Sequence, residues 1–170
     1  MRIERIRPQH VLKDFDCGVK ELNEWLFKHA IENDKRDLSR TFVLLNDSDE
    51  VVGFYSLTVG GVNVERLPEK LARGLPKFDI GMVLLGRLAI SSRVQGQGLG
   101  RDLMVDAILH ASIAGDNAAA RFISVDPIDQ SAQGFYSTFG FQDIGGDELG
   151  RMYLRIIDAV AALKEASDQT

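Results

Sequence analysis

The chain has 170 residues, 45% of them hydrophobic and 26% charged, which excludes a disordered or fibrous sequence and allows roughly 70% of the unfolded surface to be buried in one core. A single cysteine, Cys17, rules out an internal disulfide, and no apolar run reaches the roughly 18 residues that a bilayer span needs, so a cytoplasmic protein with no membrane partner is expected. With 20 Lys and Arg against 25 Asp and Glu, the net charge of −5 excludes a uniformly cationic nucleic-acid binder.

Apolar and charged residues alternate from Met1 to Arg7, which reads as a strand over residues 2–7 and not as a signal peptide. Val19, Leu22, Trp25, Leu26 and His29 then recur at helical spacing, with Asp16 as the expected cap. Residues 41–45 and 51–59 read as a hairpin joined by Asn46-Asp47-Ser48-Asp49. Leu67-Pro68 opens a short helix that Gly74 ends. Residues 82–90 form a long central strand. A helix follows whose Leu99, Leu103, Ala107 and Ala111 share one apolar face, with Gly115 near its end. Strand 121–126, helix 129–139, strands 141–144 and 151–156, and a terminal helix over 158–166 complete the order. With no repeat or linker, residues 1–170 are expected to form a single α/β (α+β) domain with a mixed sheet and helices on both faces.

The junction between the central strand and its helix carries the chemistry. Gly96, Gly98 and Gly100 let the backbone curl with its N–H groups inward at a helix N-terminus, which makes a seat for phosphate. The dinucleotide pattern G-x-G-x-x-G does not fit, since Arg101 or Leu103 falls where the third glycine belongs. A P-loop is excluded because no lysine lies between Lys77 and Lys164. The pattern present, Gln95-x-x-Gly98-x-Gly100, resembles the pyrophosphate-binding motif of the GNAT acetyltransferases. A plain strand-to-helix turn is the alternative on this motif alone.

A second segment, residues 129–141 with Phe135-Tyr136 and Gly140-Phe141, resembles the other hallmark of that superfamily, in the expected order and separation. The resemblance implies the GNAT fold, with a central mixed, mostly antiparallel sheet, and acetyl-CoA as cofactor. It assigns the pantetheine arm to the backbone of Leu88, Ala89 and Ile90. The pyrophosphate falls to Gln95, Gly96, Gln97, Gly98, Leu99, Gly100 and Arg101. Tyr136 stands where the family places a phenol near the sulfur; its unperturbed pKa of about 10 keeps it protonated at neutral pH, so it can donate to a departing thiolate. A half-buried packing tyrosine is the alternative. The general base is not evident, because the central strand carries Arg87 and no carboxylate beside Leu88. An α-amino acceptor, titrating near 7.7–8.0, needs less help than a lysine near 10.4.

A narrower resemblance covers almost the whole chain. Residues 16–26 (Asp16-Cys17-Gly18 to Trp25-Leu26), Arg40-Thr41-Phe42-Val43, Val52-Gly53-Phe54-Tyr55-Ser56-Leu57 and Leu85-Gly86-Arg87-Leu88-Ala89 are similar to the GNAT toxins of bacterial toxin–antitoxin pairs. That likeness implies acetylation of the α-amino group of aminoacyl-tRNA, a block to translation, and a ribbon-helix-helix antitoxin as partner. Such toxins are often homodimers; no residue pattern here specifies one.

Charge is unevenly spread. Residues 102–170 carry 4 basic against 11 acidic side chains, whereas residues 60–101 carry 7 basic against 3 acidic. Arg66, Lys70, Arg73, Lys77, Arg87 and Arg93, with Lys28, Lys35, Arg36 and Arg40, are candidates to face RNA; Arg87 and Arg93 flank the cofactor motif. For any one of them a solvated surface charge is the alternative. His10, His29 and His110 show no metal-ligand spacing, so no metal is expected. Two other functions stay open: a GNAT enzyme acting on a small-molecule or protein amine, and a non-catalytic acetyl-CoA- or partner-binding module.

Overall fold

The computed structural model describes residues 1–143 and 149–168. One six-stranded sheet runs in the order β1-β2-β3-β4-β5-β6, with helices flanking it. The pairs β1·β2, β2·β3 and β5·β6 are antiparallel and β4·β5 is parallel, so the sheet is mixed and mostly antiparallel. A parallel pair needs a crossover, and α3 supplies it. No helix among the described residues is long and apolar enough to cross a membrane. The chain divides into two compact units, 1–58 with 86–107, and 59–85 with 108–170.

In the first unit, β1 (Arg2–Arg5) lies on β2 (Arg40–Leu45), and β2 turns into β3 (Val51–Val62). Asn46 makes that turn, its Oδ1 accepting the N–H groups of Ser48 and Glu50 at 3.0 and 2.9 Å. Helix α1 (Lys20–Lys35) buries Trp25, Leu26 and Ala30, while His29 is exposed. The apolar stripe drifts from position 29 to 30 because 3.6 residues per turn favours Leu26 and Ala30 on one face. Asp16 does not cap the helix. Val19 is the N-cap without a side-chain bond, and the Asp16 carboxylate instead accepts from Gly18 N–H and Asn23 Nδ2. At the other end, buried Asp34 accepts from Arg5 Nε and Nη2 at 2.9 and 2.6 Å and from Thr41 N–H at 3.0 Å, latching α1 to both strands. Phe54 centres the core: Trp25 stacks on it at 6.0 Å and Phe15 meets it edge-on at 5.4 Å. Buried Tyr55 donates to Asp106 Oδ2 at 2.5 Å, which ties β3 to α3 (Leu99–Ala118).

In the second unit, Val62, Leu67, Leu71, Met82, Phe122 and Tyr153 form the core. Pro68 precedes α2 (Glu69–Ala72), and Gly74 follows it at φ +76°, as the sequence pattern predicts. β4 (Ile80–Ile90) pairs through Met82–Leu85 with β5 (Phe122–Val125), which pairs with β6 (Met152–Arg155). Helix α3 runs past Gly115 to Ala118, and Ala119, at φ +55°, takes the left-handed position that ends it. The expected strand 141–144 is a single bridge, Gln142 to Tyr153; residue 144 lies outside the described residues. Helix α4 spans Gln130–Ser137, and α5 (Ile156–Asp168) begins directly off β6.

Candidate active site

β5 ends at Val125 opposite Leu85, so Gly86–Ile90 of β4 extend beyond its partner on that side. On the other side the strand end is pinned to β3, with Ser91 N–H donating to the Val52 carbonyl at 2.8 Å. Gly53 permits this approach, since a β-carbon there would stand 2.8 Å from Ile90 Cδ1 and 3.2 Å from the Ala89 carbonyl. A strand end held on one edge and running past its neighbour on the other can accept an extended chain as a further strand. Leu88, Ala89 and Ile90 all lie on this stretch. The Ile90 carbonyl is already engaged, accepting from Gln95 Nε2 at 2.9 Å.

After β4, one short 3₁₀ turn (Ser92–Val94) leads to Gln95, Gly96, Gln97 and Gly98, all exposed. Gly96 and Gly98 have φ of +77° and +82°, and a β-carbon placed on either would meet no atom within 4 Å. Helix α3 starts at Leu99, whose side chain is buried, and Arg101 N–H donates to the Gly98 carbonyl at 2.9 Å. The first N–H groups of a helix lack intrahelical partners. Here the Gly98 carbonyl takes the N–H groups of Arg101 and Asp102, and the amides before them stand at an unobstructed, glycine-lined mouth at the positive end of a 20-residue helix, which fits a diphosphate. The side chain of Gln95 does not contribute to that mouth. Its amide turns back to the carbonyls of Ile90 and Cys17.

Arg87, also on β4, is half-buried with its guanidinium 4.0 Å from the Trp25 ring centroid. Burial pushes its pKa below the ordinary value, and among the described residues no carboxylate pairs with it. Arg93 is exposed and lines a cleft of about 700 Å³ together with Arg2, Arg7 and His10, beside acidic Glu4 and Asp49. Lys28, Lys35 and Arg36 are exposed on α1 and its exit; Lys28 pairs with Glu24 at 3.1 Å. Arg40 is consumed locally by Asp37 and the Asp34 carbonyl. Arg66, Lys70, Arg73 and Lys77 are exposed in the second unit.

Tyr136 belongs to the second unit, near the end of α4. Asp129 caps this helix by accepting from Ala132 N–H at 2.7 Å. The ring is 8% exposed, set between Phe135 at 5.3 Å and Phe141 at 5.8 Å. Among the described residues its hydroxyl has no hydrogen-bond partner, and burial raises its pKa to about 12. A phenol in that state is a proton donor across the physiological range.

The first unit thus holds a strand end that outruns its neighbour and a glycine mouth at a helix start, and the second unit holds a buried, protonated phenol. Residues 37–143 match the acetyltransferase (GNAT) domain, and the chain belongs to the GNAT acetyltransferase family. It is 35% identical over 150 residues, 88% of this chain and 89% of the relative, to a tRNA-acetylating toxin of Mycobacterium tuberculosis. Among solved structures, AtaT complexed with acetyl-methionyl-tRNAfMet superposes with a TM-score of 0.86 at 26% identity, covering 95% of this chain and 98% of that one. A tyrosine-to-phenylalanine mutant of AtaT bound to the C-terminus of the antitoxin AtaR and acetyl-CoA has a TM-score of 0.79 at 25% identity, covering 96% and 97%.

Proposed function

We propose that this enzyme is a toxin that transfers acetyl from acetyl-CoA to the α-amino group of aminoacyl-tRNA and so halts translation. Bound acetyl-CoA supplies an activated acetyl thioester. The turn amides over Gly96–Gly100 bind its diphosphate, and the edge of β4 over Leu88–Ile90, apart from the engaged Ile90 carbonyl, orients the extended arm. Tyr136 holds the proton that a departing thiolate requires. The observation that carries the choice of acceptor is Arg87. This half-buried guanidinium, without a carboxylate partner among the described residues, favours an anionic acceptor and repels a polyamine. The same position holds no carboxylate to take a proton from the amine, which suits an α-amino group that is partly neutral at cellular pH.

Similarity over most of the chain to a tRNA-acetylating toxin and to AtaT complexed with acetyl-methionyl-tRNAfMet supports this acceptor. The likeness to AtaT bound to AtaR extends the reading to an antitoxin that restrains this chain. A cell-free translation reaction tests the reading. Added protein stops synthesis only when acetyl-CoA is supplied, and Tyr136→Phe protein does not stop it. Arrest that is independent of acetyl-CoA would refute an acetyl-transfer mechanism.

A further inference from the structure

The segment from Asp16 to Asn23 carries much of the toxin-like resemblance yet has no part in the chemistry just described. We propose that it is a bracket that holds the glycine turn open, with Asn23 and Gln95 as positioning residues, on the premise stated above that this turn seats the acetyl-CoA diphosphate. Asn23, in the first turn of α1, uses both ends of its amide. Its Nδ2 donates to Asp16 Oδ1 at 2.7 Å, and its Oδ1 accepts from the Cys17 N–H at 2.9 Å and the Cys17 thiol at 3.1 Å. Asp16 Oδ1 also accepts from Gly18 N–H at 2.9 Å, with Gly18 at φ +83°. The N–H of Gly18 and the Asn23 amide hold the Asp16 carboxyl below the usual carboxylate range.

These bonds lock residues 16–18 into a tight turn that presents two carbonyls, and the phosphate-binding turn hangs on both. Asp16 O accepts from Ser92 N–H at 2.8 Å, and Cys17 O accepts from Gln95 Nε2 at 3.2 Å. Gln95 Nε2 also donates to Ile90 O, so one side-chain amide joins the bracket to the end of β4. The turn is therefore held at Ser92 and Gln95, just before the glycines. Glycines have the largest conformational freedom to lose, and a seat that must be ordered on binding loses affinity. The bracket supplies that order in advance. Its loss weakens coenzyme binding without touching the chemical step.

Hydrogen-exchange mass spectrometry of ligand-free protein, with calorimetry using coenzyme A, tests the bracket in Asn23→Ala and Gln95→Leu. Faster exchange at residues 91–98, joined in Asn23→Ala by residues 16–18 that lose their acceptor, and about tenfold weaker affinity are expected, the equivalent of one to two net hydrogen bonds. Asn23→Ala keeps kcat at saturating acetyl-CoA, a split that a merely structural role would not produce. Should Asn23→Ala exchange faster throughout the chain, Gln95→Leu, at an exposed position, decides by the same two readings. Unchanged exchange at 91–98, or faster exchange with undiminished affinity, overturns the bracket while Gly98→Asp still loses more than about 100-fold in affinity. If Gly98→Asp binds coenzyme A normally, the seat itself fails and the bracket with it.

Discussion

Replacing Gly98 by aspartate separates the cost to the fold from the cost to the ligand. Gly98 sits at φ +82°, where an L side chain costs about 1–2 kcal/mol. Since a β-carbon there meets nothing within 4 Å, no steric term adds to that. A carboxylate at the start of α3 recovers about 0.3–1 kcal/mol from the helix dipole, so net destabilisation is about 1 kcal/mol and Tm falls by about 2–4 °C. Binding is another matter. Two negative charges about 5 Å apart at an effective dielectric constant of about 20 repel by about 3 kcal/mol, a loss of more than about 100-fold in affinity. Calorimetric titration with coenzyme A, paired with a thermal melt, reads both quantities. Wild-type affinity in Gly98→Asp, or a binding loss explained by a collapsed Tm, would refute the placement of the diphosphate.

Tyr136→Phe should lower kcat by at least about 100-fold with coenzyme A affinity within about twofold, as stopped-flow transfer and calorimetry would show; parallel loss of both makes the residue structural. Because burial raises the Tyr136 pKa to about 12, the pH–rate profile should rise near pH 8 as the acceptor amine deprotonates and show no fall from this phenol below about pH 11. Tyr136 favours the folded state fully below about pH 10, and this contribution fades as pH climbs toward 12, so the wild type should lose more stability than Tyr136→Phe over that range in denaturant titrations. Arg87→Glu with Arg93→Glu should weaken activity on charged tRNA in a salt-dependent way; an equal loss on a small amine would remove these residues from the RNA face. Ala119→Gly should raise stability by about 0.5 kcal/mol, relief of the left-handed alanine outweighing the added freedom of the unfolded chain; a lower midpoint would contradict the strain.

Local chemistry was legible in the residues wherever it is written in spacing. Glycines at 96 and 98 announce a turn of positive φ ahead of a helix, and both are found so. Pro68 and Gly74 mark the ends of α2 as their fixed and free φ angles require. Contacts between distant side chains were not legible. Asp16 looks like a helix cap because it precedes an amphipathic run, but Asn23 seven residues on outcompetes the helix amides for it. Gln95 stands in the phosphate motif, yet its amide finds two carbonyls, one of them 78 residues away in sequence. The Trp25 pedestal under Arg87 has no periodic signature either, since it joins α1 to β4 across the core. The mixed sheet was legible in outline; its register was not, because β4 outrunning β5 depends on where β5 stops.

The acetyl acceptor is what separates a translation-blocking toxin from an ordinary acetyltransferase. Mass spectrometry of total aminoacylated tRNA, after incubation with the protein and isotopically labelled acetyl-CoA, answers this. The expected result is one labelled acetyl on the α-amino group of an aminoacyl-tRNA, absent from deacylated tRNA and absent with Tyr136→Phe. Label found on polyamine or on protein lysine, with the charged tRNA untouched, would contradict it.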